Sequence, residues 1–255
     1  MADSSWRVMR LLGAFLDSQG TPRITDPYIQ CLVKWFTTMD VLAGLSGLGT
    51  SGVISTDTML LDRSSDLLNP YVDDICGYSL KLAPLLARLS KLVQRQCHTE
   101  PGMQQGILAE AQKLEIEIIS LVECGVSGGD SIELQSTHLA FVHSALLHLH
   151  RRVQILPRNH ETVKEDIRKV ITAVKDIPPF SSANILILWP MFSVGCESDD
   201  PKEREFIHNR MGDMQSLGMG NFTRARELLN KFWTSETSLP WDMYFANLGL
   251  ELVLF

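Results

Sequence analysis

The stretch of sequence that decides the fold is SANILILWPMFSVG, residues 182–195. Its apolar side chains fall on every side of a helical projection, and a helix of that kind is buried on all faces. The residues ILIL at 185–188 also suit a buried strand, but no convincing strand alternation runs beyond four residues anywhere in the chain. The sequence therefore predicts a central buried helix over 182–195 in an all-α protein.

Amphipathic helices are predicted on both sides of this segment. Apolar residues recur there at three- and four-residue steps, and glycine or proline ends most of the runs. In the first helix, Asp26 is the expected N-cap and Pro27 the first-turn residue. The flanking helices are predicted over residues 27–45, 73–93, 103–124, 130–155, 161–176, 201–217, 221–233 and 241–255.

A single domain, residues 1–255, accounts for this pattern. No internal repeat of 20 to 50 residues is present, since the helices differ in length and sequence. The irregular segment 49–70 is too short a linker to separate two independent units. We expect one compact multi-helix domain of about eight to ten helices.

Composition excludes several classes of protein. The chain of 255 residues is 45% hydrophobic, which is too apolar for a disordered protein, and its formal net charge of −7 provides no field that attracts nucleic acid. The five cysteines have neither disulfide-framework nor metal-knuckle spacing. The longest apolar run, 185–194, is shorter than the ~20 residues that span a bilayer. We expect an intracellular protein of the nucleus or cytoplasm, with no membrane attachment.

Four segments carry a family resemblance. They are QCLVKWFTTMDVLAGLSG (30–47), VDDICGYSLKLAPLLARLSKLVQR (72–95), HSALLHLHRRVQILP (143–157) and LILWPMFSVGCESDDPKEREFIHNRM (186–211). In this order and spacing the chain, from about residue 26 onward, resembles the C-terminal regulatory domain of fungal zinc-cluster transcription factors, the fungal-specific transcription factor domain. The most specific piece is WP-x-F-x-x-G-C-E, residues 189–197.

One departure from that family pattern is important for function. Zinc-cluster regulators read DNA through six closely spaced cysteines and a basic linker, and the present sequence has no C-x-x-C spacing and no Lys/Arg run. The resemblance thus implies a regulatory body without its own DNA-binding module, either a truncated regulator or a stand-alone protein. It implies control of metabolic genes, secondary metabolism among them. It also implies a hydrophobic small-molecule ligand, a protein partner or homodimer, no cofactor, and no direct contact with nucleic acid.

The acidic string after the signature supports an alternative hypothesis. Asp199, Asp200 and Glu203 form a D-D-x-x-E pattern that suits Mg²⁺ and a bound diphosphate, as in a cyclase acting on farnesyl diphosphate. Asp73 and Asp74 form a weaker second acidic pair, because Gly77 stands where a third acid is needed. The simpler interpretation of both groups is helix capping.

In the enzyme hypothesis, aromatic side chains line an apolar cavity. Trp189, Phe192 and Trp233 are the candidates that would stabilise carbocations through their π faces. The simpler interpretation is that these rings pack in the core. The four histidines of residues 138–150 lack the spacing of a zinc peptidase, and the sequence has no G-x-S-x-G motif.

Overall fold

Helix α6, Leu188–Glu197, lies at the centre of the fold, and all of its residues are buried. The prediction of a central buried helix is confirmed, but the helix is shorter than expected, because Ser182–Ile187 forms a 3₁₀-helix. Pro190 explains the change, since it has no N–H to donate and its ring collides with the carbonyl of residue 186 in a continuous α-helix. Pro190 is tolerated where it stands because it lies in the first turn of α6.

The computed structural model describes residues 27–46, 71–98, 104–122, 131–216, 218, 220–235, 237–250 and 254. Regular structure in these residues is helical, and the only extended pairing is a single bridge between Val72 and Ser79. The α-helices are α1 Pro27–Leu45, α2 Leu82–His98, α3 Gln104–Ile119, α4 Ile132–Arg152, α5 Glu161–Lys175, α6, α7 Pro201–Ser216, α8 Gly220–Trp233 and α9 Trp241–Asn247. The predicted all-α class and the expected number of helices are thereby confirmed.

Helix α4 is the long element around which the others pack. It contacts α2, α3, α5 and α6, and its middle is buried on every side. Helices α7 and α8 pack against each other, and both contact α6. One continuous apolar core runs through all of these elements. Among the described helices, none combines the length and apolar content that a bilayer crossing requires.

Helix α7 also completes the end of α5. Arg210 of α7 is buried, and its Nη2 donates to the carbonyl oxygens of Val174 at 2.6 Å and Ile177 at 2.5 Å. The last carbonyls of a helix have no partner within the helix. A guanidinium from another helix therefore satisfies the carboxyl end of α5.

The predicted helix over 73–93 is wrong in its first part, because α2 begins only at Leu82. The Asp73 carboxylate accepts hydrogen bonds from the backbone N–H groups of Ile75 and Cys76, both at 3.0 Å, and so forms a tight turn. Gly77 then adopts a φ of +76°, a conformation that residues other than glycine rarely adopt. The turn buries Tyr78 against the core instead of placing it on a helix.

The other helix boundaries differ less from the predicted ones. Helix α3 ends at Ile119 rather than 124, α4 ends at Arg152 rather than 155, and α9 ends at Asn247 rather than 255. The predicted N-cap Asp26 and the segment 49–70 lie outside the described residues. Four cysteines are free thiols: Cys76 and Cys196 are buried, whereas Cys31 and Cys97 are exposed, although the sequence predicts buried thiols. Cys124 is outside the described part of the chain.

The chain leaves α4 through a strained residue. Ile155 has a φ of +57° and its side chain is mostly exposed. The N–H of Leu156 returns to the carbonyl of His150 at 2.9 Å, so Ile155 occupies the left-handed position of a helix C-cap, where glycine is usual. A β-branched residue in this conformation costs ~1–2 kcal/mol.

We expect Ile155→Gly to raise the free energy of unfolding by about 1 kcal/mol, because glycine adopts the left-handed conformation without steric cost. For a protein of this size the melting temperature should rise by ~2–4 °C. Ile155→Ala is the control, since it removes the same exposed side chain but keeps a Cβ. If both variants raise the melting temperature equally in calorimetry, backbone strain is not the cause.

Candidate functional site

The candidate site is the turn between α6 and α7, where the most specific part of the sequence ends in a buried carboxylate. Glu197 is 3% exposed. Its Oε2 accepts hydrogen bonds from Arg151 Nε at 2.6 Å and Arg158 Nε at 3.3 Å. A buried carboxylate without a partner is strongly destabilising, so these two arginines hold the end of α6 against the end of α4.

The next acid along, Asp199, is exposed and also bound to arginines. Its Oδ1 lies 3.4 Å from Arg158 Nη1 and 3.1 Å from Arg204 Nη2. The two guanidiniums rest on neighbouring aromatic faces, Arg158 on Phe232 and Arg204 on Trp233, each 5.5 Å from the ring centroid. The turn is thus an alternating layer of acids, arginines and aromatic rings at the surface of the fold.

The remaining acids of the predicted string cap helix α7. Asp200 Oδ1 accepts the backbone N–H groups of Lys202 at 2.7 Å and Glu203 at 3.4 Å, and the Glu203 carboxylate bonds the Ser198 hydroxyl. Within the ranges that the structure describes, no three acidic, histidine or cysteine side chains are grouped so that they could hold a metal ion. The contacts of the acidic string are those of a helix start, and they add no support to a magnesium site.

The second predicted acidic pair has equally local contacts. Asp73 forms the turn described above, and its Oδ2 lies 3.0 Å from Lys34 Nζ on α1. Asp74 is exposed. The pair therefore anchors the 71–81 turn to α1.

The three predicted cavity aromatics occupy two places. Trp189 and Phe192 are fully buried on α6, where Trp189 stacks on Phe141 with 5.9 Å between ring centroids. Trp233 lies at the surface turn, and its indole Nε1 donates to the carbonyl of Gly195 at 2.7 Å. Two of the candidates therefore belong to the core, and the third fixes α8 to the end of α6.

Gly195 makes the close approach of α8 to α6 feasible. A Cβ placed on Gly195 would lie 2.9 Å from the Cδ1 atom of Leu229, which is fully buried. This separation is much shorter than a normal carbon contact. Glycine at this position of the signature thus has a packing reason.

Sequence reasoning missed a buried ion pair between α4 and α9. Arg152 Nη2 lies 2.7 Å and Arg152 Nε 3.2 Å from Asp242 Oδ2, and both side chains are buried. Beside this pair, the His148 ring contacts the indoles of Trp189 and Trp241, at 6.0 and 5.7 Å between centroids. The sequence placed several histidines and arginines on one helix but did not indicate which of them face inward.

A second missed feature is a histidine that joins three helices. His150 Nδ1 lies 2.6 Å from Asp166 Oδ2 on α5, and its Nε2 lies 3.2 Å from Glu115 Oε1 on α3. Burial disfavours the charged imidazole, but the hydrogen bond and charge of Asp166, followed by those of Glu115, outweigh it and raise the pKa of His150. His150 therefore bridges α3, α4 and α5, and this setting favours its protonated form.

Two other histidines of α4 behave in the opposite way. Burial lowers the pKa of His148 to about 4, and burial followed by the charge of Lys169 lowers the pKa of His143 to about 4. Both imidazoles are consequently neutral near pH 7. Folding lowers the pKa of two histidines on this helix and raises that of a third, so the helix contributes to the pH dependence of stability in two directions.

The fold and the site together define an all-helical domain whose distinctive residues build a turn and a core. A family model described as "Fungal specific transcription factor domain" matches residues 2–255. The chain belongs to this family, and it is a regulatory domain of the fungal transcription factor type. No curated protein and no solved structure matches it. The 255 residues contain no zinc-cluster spacing, and neither the comparisons nor the geometry supports a terpene cyclase.

We expect stability to fall as the pH is lowered from 7 to 5. His148 and His143 take up protons in the unfolded chain near pH 6.5 but not in the folded protein until about pH 4, so each costs roughly 2 kcal/mol over this interval. His148→Leu should remove about one such contribution from the pH dependence measured by urea unfolding. An unchanged slope in this variant would show that His148 is protonated in the folded state.

Above pH 6.5, His150 makes stability fall as the pH rises. Its pKa is raised on folding, so its contribution to stability is complete below pH 6.5 and is lost as the pH rises through the folded pKa. His150→Gln should flatten the decline of stability above pH 6.5. The C2–H resonance of His150 in an NMR titration gives an independent measure, and a midpoint below 6.5 would contradict the bridge.

The contact at Gly195 is tested by a double-mutant cycle. Gly195→Ala should cost ~1–3 kcal/mol of unfolding free energy through overpacking, and Leu229→Ala ~2–5 kcal/mol through loss of buried contacts. In the double variant the new methyl occupies part of the space vacated at 229, so the cost should be at least ~1 kcal/mol below the sum. Additive losses in urea unfolding would exclude direct contact between the two side chains.

Proposed function

We propose that this chain is the effector-responsive body of a nuclear regulator that controls metabolic genes, including genes of secondary metabolism. The observation that supports this function is the match to the fungal transcription factor domain over nearly the whole chain, in a sequence without a zinc cluster. The net charge of −7 agrees with a body that reaches DNA through another protein or domain. In this proposal the chain receives a signal and passes it to a partner.

A protein partner, a second copy of the chain among the candidates, is supported by the outer face of α3. The inner face of this helix packs into the core through Ile107, Ala111, Leu114 and Ile118. Its outer face nevertheless exposes Leu108, Ile116 and Ile119, with Ile116 69% exposed. Exposed apolar side chains that recur along one helix face are typical of surfaces that bind protein.

A hydrophobic small-molecule ligand is the second part of the proposal. Large aromatic residues from α4, α6 and α9 meet in the core around Trp189 and Trp241. Binding sites for apolar small molecules are lined mainly by hydrophobic and aromatic side chains and occur between the helices of bundles. Ligand binding inside the domain would alter the packing of α4. Helix α3, which carries the partner surface, contacts α4 and would respond.

The proposal is tested by fusing the full chain to an unrelated DNA-binding domain in a fungal cell with a matching reporter gene. We expect nuclear accumulation and a reporter level that differs from that of the DNA-binding domain alone. Ile116→Glu should abolish the difference, because it places a charge in the apolar surface of α3. Lys113→Gln, which changes the net charge by the same amount at another exposed position of α3, is the matched control.

Three outcomes would contradict the proposal or its partner surface. A fusion that leaves the reporter at the level of the DNA-binding domain alone would exclude a regulatory effect of the chain. A reporter response that survives Ile116→Glu, or that is lost equally in Lys113→Gln, would exclude α3 as the partner surface. Circular dichroism of each purified variant separates these effects from unfolding.

A further inference from the structure

Six buried polar atoms without a hydrogen-bond partner lie on α4, α6 and α9, three helices whose aromatic side chains contact one another. Each of the side chains is at least nine-tenths buried. Helix α4 provides two of them, α6 two and α9 two. They are Ser144 Oγ, His148 Nε2, Trp189 Nε1, Ser193 Oγ, Trp241 Nε1 and Asp242 Oδ1.

These groups belong to one junction. His148 contacts both Trp189 and Trp241, and Trp241 also contacts Phe192 with 5.5 Å between ring centroids. Ser144 lies one helical turn before His148, and Ser193 lies one turn after Trp189, so each shares a helix face with its neighbour. We call these six residues the core junction.

Energetics argue that the groups of the core junction have partners in solution. A buried donor or acceptor left unsatisfied costs ~1–3 kcal/mol. Six such groups together would cost an amount comparable to the ~5–15 kcal/mol by which a typical domain is stable. The serine hydroxyls can rotate towards backbone carbonyls of their own helices, but the two indole N–H groups are fixed by ring packing.

The protonation of the junction defines what it can bind. His148 is neutral because of its burial, and its imidazole also makes a hydrogen bond with the backbone of Leu45. With Nδ1 donating to that carbonyl, Nε2 remains as an acceptor. The indoles of Trp189 and Trp241 are donors only. A hydroxyl group can accept from an indole and donate to Nε2, so it satisfies both kinds of partner.

Charge limits the ligand further. Arg152 is the cation next to the junction, and its guanidinium is already paired with Asp242. An ionised ligand would therefore be desolvated without a free counter-charge, which is costly. The neighbouring rings of Trp189, Trp241 and Phe192 favour a flat apolar ligand.

We propose that the core junction binds a small, uncharged aromatic compound with a hydroxyl group, which accepts from the indole N–H groups of Trp189 and Trp241 and donates to His148 Nε2. The site deepens the ligand-sensing part of the proposed function and rests on it for its biological role. Helix α9 is the short element that covers the junction, and it contributes both Trp241 and Asp242. Binding thus couples the ligand to the packing of α9 on α4 and α6.

The test uses the full chain, ¹⁵N-labelled at tryptophan indoles, with phenol as the probe and toluene as its isostere without a hydroxyl. We expect phenol to shift the Nε1–H resonances of Trp189 and Trp241 saturably, and toluene to bind at least ~tenfold more weakly, a factor equivalent to about one lost hydrogen bond. The resonance of Trp233, whose Nε1 already donates to Gly195, should not shift. Trp→Phe variants assign the resonances.

Conservative variants distinguish hydrogen bonding at the core junction from general effects on packing. Trp189→Phe and Trp241→Phe keep an aromatic ring but remove the N–H, so each should weaken phenol about tenfold and leave toluene unchanged. Trp233→Phe makes the same change outside the junction and should leave both affinities unchanged.

Three results would contradict the proposed site. They are equal affinity for phenol and toluene, an equal loss of phenol affinity in Trp233→Phe, and no saturable shift of the Nε1–H resonances of Trp189 and Trp241. Cross-peaks from the indoles to bound water, without any response to phenol, would show that water alone satisfies the junction. Because the reporter assay does not depend on phenol, failure of this site and failure of the regulatory function are distinguishable.

Discussion

The burial of helix α6 on all sides is the constraint on which the rest of the structure depends. A helix with no exposed face must be enclosed by other helices, and α4, α5, α7 and α8 supply that enclosure. Close approach of α8 requires Gly195, and the last residue of α6, Glu197, carries its charge into the interior. Arg151 and Arg158 therefore have to reach it from the end of α4 and from the loop that follows.

The same constraint explains why the most recognisable part of the sequence is structural. In WP-x-F-x-x-G-C-E, the tryptophan and phenylalanine fill the core, the glycine admits a neighbouring helix, and the glutamate binds two arginines. The acids that follow begin α7 and balance Arg158 and Arg204. Residues that hold a fold together can thus form a pattern as distinctive as a catalytic motif.

How far the sequence predicts this fold depends on the range of the interactions involved. The all-α class, the buried centre at α6 and the start of α7 follow from local periodicity and capping, and the structure confirms them. The turn at Asp73 was predicted as helix because its apolar spacing is helical, whereas Gly77 and a buried Tyr78 decide otherwise through tertiary packing. At the candidate site, the sequence predicts a helix cap in the acidic string but favours Asp199, whereas Asp200 provides it in the structure. The contacts of Glu197 were not predicted, because their partners lie about 40 residues away.

The guanidinium of Arg210 has a consequence for the order in which the domain assembles. At the carboxyl end of α5, the carbonyl oxygens of Val174 and Ile177 accept hydrogen bonds from a donor on α7, more than 30 residues further along the chain and beyond the whole of α6. Until α7 is in place, these two carbonyls lack the guanidinium, and water is the alternative donor. Closure of the core and completion of α5 are consequently one cooperative event, which joins the first and second halves of the described helices into a single folding unit.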